Sequence, residues 1–216
     1  MTDFLIRQDH KKLEIKSKEK IIKFLRSQQT GRIASIDESG FPQIIPMNFV
    51  FINDTVYMHS HIRGEKLDNI RRNQKVGFEV DKSLEFLPSY FSDPTDASLA
   101  DTLYISVVIK GNASIVSNKE EKTIALNGLM KKYQPEGGYE PIKPSMDVLK
   151  GVEVIKIVPE SLTGKYKIGQ NMDMKSRIDL AKQILERNSS TAKETLNIMG
   201  FRIVDNELKL IDDAQW

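Results

Sequence analysis

Hydrophobic and polar positions alternate through much of the chain with the period of two that is typical of β-strands. The first predicted strand, Gly31–Asp37, is built around Ile33 and Ile36. A turn that contains Gly40 follows it. The next segment, Gln43–Ile52, is an almost continuous apolar run, as expected of a strand that is covered on both faces. The other predicted strands are Val56–Ser60, Val76–Val80, Leu103–Val116, Val152–Val158 and Leu162–Ile168.

Apolar residues spaced three and four apart predict helices between these strands. Ser17 is suited to cap the first helix, and Asn118 with Glu121 forms a capping box. The chain shows neither an internal repeat nor regular strand–helix alternation. The pattern therefore predicts a mainly β fold, an antiparallel barrel decorated by helices rather than a doubly wound sheet. The predicted helices are 17–29, 65–73, 118–133, 173–187 and 191–199.

Three features interrupt the predicted strands. Pro46 has no backbone N–H, which predicts a sheet edge, a bulge or a place where something other than a strand pairs. Gly111 within a strand predicts a bend or a bulge. Residues 83–101 lack periodicity and are predicted to form an ordered excursion or lid.

Composition limits the possible functions of the 216-residue chain. Lys and Arg number 32 against 30 Asp and Glu, and a net charge of +2 provides no general attraction for nucleic acid. The absence of cysteine excludes disulfides and thiolate metal sites, and with only three histidines we expect no metal centre. No apolar run approaches the roughly 20 residues of a membrane span, and the polar start is unlike a signal peptide. We therefore expect a cytoplasmic protein.

The best candidate site is the turn from His59 to Lys66. A strand ends there, Gly64 lets another backbone or ligand approach closely, and a helix follows. Helix N-terminal N–H groups, the Ser60 hydroxyl and the cations Arg63 and Lys66 together favour an anion site. The alternative is a solvated surface turn, which composition alone favours. The sequence contains none of the familiar nucleotide-binding, zinc-protease or serine-hydrolase motifs.

Other segments offer weaker candidates. A flat heterocycle could lie along the strand residues Ile45, Pro46, Met47 and Asn48, although an edge strand with a proline explains them equally well. Tyr104 and Ser106 could place hydroxyls in a cleft, and the segment 169–171, with Gln170 at its centre, could supply amide groups.

The order of the motifs resembles that of a known family. The segments G-R-I-A-S-I-D-E-S-G-F-P-Q, I-P-M-N-F-V-F, V-Y-M-H-S, G-E-K-L-D-N-I-R-R-N and V-G-F-E-V-D follow one another between residues 31 and 81. They resemble the pyridoxamine 5′-phosphate oxidase-like FMN-binding split-barrel family, and most closely its 5-nitroimidazole-resistance-type flavoproteins. A weaker similarity continues through residues 106–113 and the helix that ends M-K-K-Y. The segment 152–171 resembles split-barrel proteins described as negative transcriptional regulators.

The resemblance implies a six-stranded split barrel that forms a homodimer with FMN at the subunit interface. Ile45, Pro46, Met47 and Asn48 would lie beside the flavin ring, and His59 and Ser60 would line it. Arg63, Gly64 and Lys66 would hold its phosphate. Tyr104, Ser106 and Gln170 of the partner subunit would complete the site. The similarity ends near residue 170, so we expect a flavin-binding domain over 1–170 and a helical extension over 171–216 that packs on the barrel.

The departures from the family narrow the expected activity. Vitamin B6 phosphate oxidases carry an Arg–Lys pair after a Ser in this turn, where the present chain has Gly64, Glu65 and Lys66. They also have a basic C-terminal segment that the tail here lacks, so oxidation of vitamin B6 is not expected. In the nitroimidazole-resistance branch a third-strand histidine is linked to activity, and His59 matches it.

These observations predict an FMN-dependent oxidoreductase that reduces a small organic acceptor such as a nitroaromatic, with His59 as the catalytic group. Two alternatives remain open. In the first, the protein is a non-catalytic flavin carrier or regulator. In the second, it is a haem-binding split-barrel protein in which His10, His59 or His61 is the axial ligand of the haem iron.

Overall fold

The computed structural model of the protein describes residues 13–204 and 207–211. His10, one of the histidines proposed above, lies outside these residues. The strands are β1 Thr30–Ile36, β2 Pro42–Asn48, β3 Val50–Ile52, β4 Thr55–Ser60, β5 Lys75–Leu87, β6 Asp101–Ile115, β7 Glu153–Lys167, β8 Phe201–Val204 and β9 Glu207–Leu210. The α-helices are α1 Lys18–Ser27, α2 Glu65–Arg72, α3 Lys119–Tyr133, α4 Met174–Arg187 and α5 Ala192–Ile198.

Seven strands form one sheet in the order β2-β1-β5-β6-β7-β4-β3, while β8 and β9 form a separate hairpin. β1 pairs antiparallel with β2 and β5, and β4 pairs antiparallel with β3 and β7. This arrangement confirms the predicted mainly β, split-barrel class of fold. The sheet has seven strands rather than the six that the resemblance implies.

The break between β2 and β3 falls at Phe49, where the chain changes its pairing partner. Ile45 pairs with Ile33 of β1, whereas Val50 pairs with Tyr57 of β4. Phe49 itself is fully buried. The prediction of a single strand covered on both faces is wrong, because β2 alternates between exposed and half-buried positions. An edge strand of this kind tolerates a proline, and Pro46 lies in it.

The long strands correct two further predictions. Residues 153–167 form the single strand β7 instead of two, and β5 continues to Leu87, so the excursion begins only at residue 88. Two short 3-10 helices, Ser89–Phe91 and Ala97–Leu99, give that excursion local order. Gly111 lies inside β6, where an added Cβ would approach the Val158 carbonyl oxygen to 2.4 Å. The close approach of a neighbouring backbone therefore explains this glycine.

The predicted helix starts are confirmed by hydrogen bonds. The Ser17 hydroxyl accepts from the backbone N–H of Lys20 at 3.3 Å, and Asn118 Oδ1 accepts from the N–H of Glu121 at 2.7 Å. The side chain of Asp173 caps α4 by accepting from Ser176. At the other end of the helical region, Gly200 follows α5 with a φ of 87°, as the pattern predicts.

Contacts divide the described chain into two compact units, and the predicted domain boundary at residue 170 stays a prediction. One unit contains residues 13–20, 81–106, 164–204 and 207–211, and the other contains 21–80 and 107–163. In the second unit, α3 packs on β3 and β4 over a buried cluster. Its members are Val50, Val116, Ala125, Leu126, Leu129, Leu149 and Val154. Among the described helices, none has the length and apolar character needed to cross a membrane.

Candidate functional site

The candidate anion site begins at Ser60, the last residue of β4. The backbone of Ser60 pairs with Glu153 of β7, and the residue is only 4% exposed. Its hydroxyl is buried and has no hydrogen-bond partner among the described residues. A buried hydroxyl without a partner is unfavourable, so a functional site is one explanation for its retention.

Gly64 forms the start of α2. It lies at the N-cap with φ 149° and ψ 152°, and among the described residues no side chain caps the helix. A backbone with this φ favours glycine, and a Cβ built there would have no atom within 4 Å. The first N–H groups of α2 are therefore not capped by a side chain and stand beside open space, which suits them to an anion.

Two cations flank this helix start. Arg63 is exposed and Lys66 is half-buried, and within the described residues no carboxylate forms an ion pair with either. Glu65 contributes one opposing charge at the same turn, while Asp68 is paired with Arg71 at 2.8 Å. The local balance is positive, and the dipole of α2 adds to it.

Hydrogen bonds fix α2 to the two strands beside it. The buried Asn69 donates through Nδ2 to Ser35 of β1 and to Gln43 of β2, both at 3.3 Å. Arg72 donates to the Ile36 carbonyl oxygen at 3.1 Å and to Asn69 Oδ1 at 2.8 Å. The turn that presents the cations is thus anchored to the edge strand on which the predicted ring-binding residues lie.

The predicted ring-binding residues occupy the second half of β2. Ile45 and Met47 are half-buried, whereas Pro46 and Asn48 are exposed. All four pair on one side with β1, from Ile33 opposite Ile45 to Thr30 opposite Asn48. Because β2 comes first in the strand order, no other described strand pairs with its second side.

His59 and Ser60 do not share a face of β4. His59 is exposed and Ser60 is buried, as the alternation of a strand requires for neighbouring residues. The structure therefore presents the imidazole to solvent and the hydroxyl to the interior.

The three residues predicted to act from a partner subunit belong to the other compact unit. Tyr104 and Ser106 lie half-buried on the same face of β6, opposite the buried Leu103 and Ile105. The side chain of Gln170 accepts from the N–H of Ile168 at 3.0 Å and donates to the Tyr166 carbonyl at 2.9 Å. It thus closes its own turn, and the role of all three in a flavin site stays a prediction.

The sequence prediction did not include Lys132 and Tyr133, which end α3 and hold Phe49. Lys132 Nζ donates to the Phe49 carbonyl oxygen, and burial lowers the pKa of this lysine to about 8. The Tyr133 hydroxyl contacts the carbonyls of Phe49 and Gln29 and accepts from the Phe49 N–H at 2.9 Å. Helical spacing placed Tyr133 on the apolar stripe of α3, but nothing in that spacing identified Lys132.

A second polar cluster joins α3 to the sheet. Glu121 accepts a hydrogen bond from the Tyr57 hydroxyl at 2.9 Å and pairs with Lys156 Nζ at 2.9 Å. Burial, together with this carboxylate, raises the pKa of Tyr57 to about 12. The bond from Lys156 lowers the pKa of Glu121. The cluster stabilises the packing of α3 on β4 and β7.

Comparison with known proteins agrees with this fold. Residues 17–166 match the model of the pyridoxamine 5′-phosphate oxidase family. The chain belongs to that family, which confirms the resemblance seen in its motifs. No protein with a curated description matches the chain in sequence.

Several solved structures share the fold. A Bacteroides thetaiotaomicron protein assigned to 5-nitroimidazole antibiotic resistance is 24% identical, with a TM-score of 0.60 over 71% of this chain and 86% of its own. The flavocytochrome Anf3 of Azotobacter vinelandii is 17% identical, with a TM-score of 0.63 over 77% and 74% of the two chains. A FAD- and haem-binding protein of Mycobacterium smegmatis is 15% identical, with a TM-score of 0.62 over 77% and 79%.

Proposed function

We propose that the protein binds FMN and uses it as an oxidoreductase that reduces a small organic acceptor. The observation that carries the proposal is the turn at the start of α2. Within the described part of the chain, a helix N-terminus without a side-chain cap, two cations without carboxylate partners and a buried hydroxyl without a partner occur in seven residues, from Ser60 to Lys66.

The donor set of this turn fits a phosphate monoester. The phosphate group carries up to two negative charges, and its oxygens accept several hydrogen bonds. The N–H groups, the guanidinium and the ammonium of the turn can all donate to them. Gly64 leaves room for the oxygens to approach the backbone. In this proposal Arg63 and Lys66 hold the phosphate, and Ser60 supplies a further hydrogen bond.

The remaining residues position the ring and serve the acceptor. Bound FMN would supply the electron transfer, which amino-acid side chains cannot perform. The exposed edge of β2 at Ile45–Asn48 would orient the ring. Pro46 has no backbone N–H that would compete with the ring for a hydrogen-bond acceptor. The exposed imidazole of His59 would donate a proton or a hydrogen bond to an acceptor of the nitroaromatic type.

The proposed active form is a homodimer, in which Tyr104, Ser106 and Gln170 of the partner subunit complete the site. Support comes from the position of Tyr104 and Ser106 on one half-buried face of β6, where hydroxyls can meet a neighbouring molecule. Light scattering of the purified protein with and without FMN tests this: a dimer of about twice 24.6 kDa supports it, and a monomer in both states contradicts it.

A second candidate is haem binding through His59. Solved structures of this fold include a FAD- and haem-binding protein and a flavocytochrome, and the imidazole of His59 is exposed with no side-chain partner among the described residues. An absorption spectrum of the purified protein, recorded before and after addition of each cofactor, separates the two. Flavin bands near 370 and 450 nm (roughly, the range of protein-bound flavins) support FMN. A Soret band that is lost on His59→Ala supports haem, and a spectrum with neither contradicts both.

A further inference from the structure

A second cavity, of about 630 Å³, lies within the compact unit that contains α4. Its walls come from the excursion after β5, from the start of β6 and from residues 167–183. Gly169 and Asn171, which flank Gln170, line it, but the residues predicted to contact the flavin do not. The volume falls in the range of roughly 300–1,000 Å³ that is usual for pockets that hold drug-sized molecules.

Hydrogen bonds hold the walls of this cavity together. Gln183 of α4 donates to the Phe91 carbonyl oxygen at 3.0 Å, which links the helix to the excursion. The ammonium of Lys167 pairs with the carboxylate of Asp101, and the two side chains are only 16% and 19% exposed. Hydrogen bonds and an ion pair thus hold the elements around the cavity in place. Asp101 neutralises the charge of Lys167, the one lysine of the lining.

The remaining charged groups of the lining are carboxylates. Asp93, Asp173 and Asp179 are all exposed. Hydrogen bonds from Thr95 lower the pKa of Asp93, and those from Ser176 lower the pKa of Asp173, so both are ionised at neutral pH. The cavity therefore carries an excess of negative charge, which disfavours a phosphate or a carboxylate as its ligand.

The rest of the lining combines apolar side chains with the neutral polar residues Ser92, Asn171, Ser176 and Gln183. A metal ion would need several convergent oxygen ligands, but Asp93 and Asp173 already accept hydrogen bonds from their own turns. An aromatic or aliphatic group, by contrast, would pack against the apolar side chains of the lining. The apolar residues of the lining are Leu87, Pro88, Phe91, Leu99, Leu103, Met172 and Leu180.

We propose that this cavity binds a small organic cation whose apolar body packs on these walls while its ammonium group faces Asp93, Asp173 and Asp179. This is a binding site in addition to the flavin site. The chemistry that it selects is an amine or amidinium joined to an aromatic or aliphatic group.

The test compares two probes of the same shape and opposite charge. Tryptamine and indole-3-propionate are titrated into the full-length protein and followed by ligand-observed NMR. Tryptamine is expected to bind at least about tenfold more tightly, because reversing the charge reverses several modest interactions with the carboxylates. Equal or tighter binding of indole-3-propionate would overturn the proposal.

Variants locate the binding. Asp179→Asn is expected to weaken tryptamine about two- to fivefold, the range for an exposed charge. Glu186→Gln removes the same charge two turns further along α4, outside the lining, and is expected to leave the affinity unchanged. Ser92→Trp adds bulk at an exposed position of the lining and should abolish binding. If Glu186→Gln matches Asp179→Asn, or if Ser92→Trp binds like the wild type, the cavity is not the site.

A competition experiment separates this proposal from the flavin proposal. Saturating FMN is expected to leave the tryptamine affinity unchanged. Displacement of tryptamine by FMN would show that the cavity belongs to the flavin site and would overturn the inference. A protein that fails to bind FMN but binds tryptamine as described would contradict the proposed function alone.

Discussion

Lys132 meets Phe49 in two ways at the point where β2 gives way to β3. Its Nζ lies 2.9 Å from the Phe49 carbonyl oxygen and 3.8 Å from the centroid of the Phe49 ring. The ring in turn packs edge-on against Phe78, with 5.1 Å between the centroids. A cation placed over an aromatic face and bonded to a main-chain oxygen fixes the position of this break in the strand.

This relationship predicts a pH dependence of stability. Burial lowers the pKa of Lys132 from 10.5 to about 8 in the folded protein. Between these values the unfolded chain binds a proton that the folded chain does not, so raising the pH favours folding. The unfolding free energy of the wild type, minus that of Lys132→Met, should therefore rise from pH 8 to about 10 and be constant below 8.

Chemical denaturation at a series of pH values measures this difference. Lys131→Met is the matched control, because Lys131 is the exposed neighbour on the same helix. Its difference from the wild type should stay constant across the same pH range. If the difference in unfolding free energy between the wild type and Lys132→Met is also constant, the pKa of Lys132 is the same in the folded and unfolded states, which contradicts the prediction.

The close approach at Gly111 predicts a strong effect of a single methyl group. A Cβ there would lie 2.4 Å from the Val158 carbonyl oxygen, which is backbone and cannot rotate away. Gly111→Ala should destabilise the protein by about 1–3 kcal/mol or more. Gly77→Ala is the control in the same sheet, because its Cβ would meet Ala34 at an ordinary 3.7 Å. Thermal or urea unfolding of both variants checks this, and equal stability would contradict the close packing of β6 on β7.

Several parts of the fold followed directly from the sequence because they depend on local chemistry. Ser17 and Asn118 cap helices as their hydroxyl and amide groups predict. Gly40 forms the predicted turn after β1 with a φ of 86°, a backbone that glycine adopts without strain. Such features are set by a few neighbouring residues and need no knowledge of the rest of the chain.

The errors arose where distant segments decide the structure. The run 43–52 is uniformly apolar, and only the change of pairing partner from β1 to β4 breaks it at Phe49. The sequence analysis assigned no role to Lys132, since its burial depends on Phe49, which lies 83 positions earlier. The turn from His59 to Lys66 was identified as a candidate because its polar residues are contiguous. The opposite faces of His59 and Ser60 follow from simple alternation, which the resemblance to a family did not take into account.

The buried hydroxyl of Ser60 predicts opposite effects on stability and on binding. Because the hydroxyl has no partner among the described residues, Ser60→Ala should leave the unfolding free energy unchanged or raise it by up to about 1 kcal/mol. FMN affinity should fall by about 1.5–3 kcal/mol, the contribution of a hydrogen bond to a charged group. Urea denaturation without FMN and fluorescence titration with it measure the two quantities. A destabilised variant with unchanged FMN affinity would indicate a structural hydroxyl instead.

Lys66 is predicted to contribute to binding and not to folding. Lys66→Ala should weaken FMN binding by roughly 1–3 kcal/mol and leave stability almost unchanged, because no carboxylate of the described chain pairs with this lysine. Lys75→Ala removes an equal charge from an exposed position beyond the other end of α2 and serves as the control. Equal FMN affinity in the wild type and Lys66→Ala would contradict the phosphate site and favour the alternative of a solvated surface turn.

The central claim is that the turn from Ser60 to Lys66 holds the phosphate of a flavin, and a paired titration with FMN and riboflavin tests it most directly. The two ligands share the ring and differ in the phosphate, and both lose fluorescence when the ring is bound. We predict that FMN binds at least about 100-fold more tightly than riboflavin, as two charged hydrogen bonds would provide. Equal affinities for the two ligands, or no binding of FMN, would contradict the account.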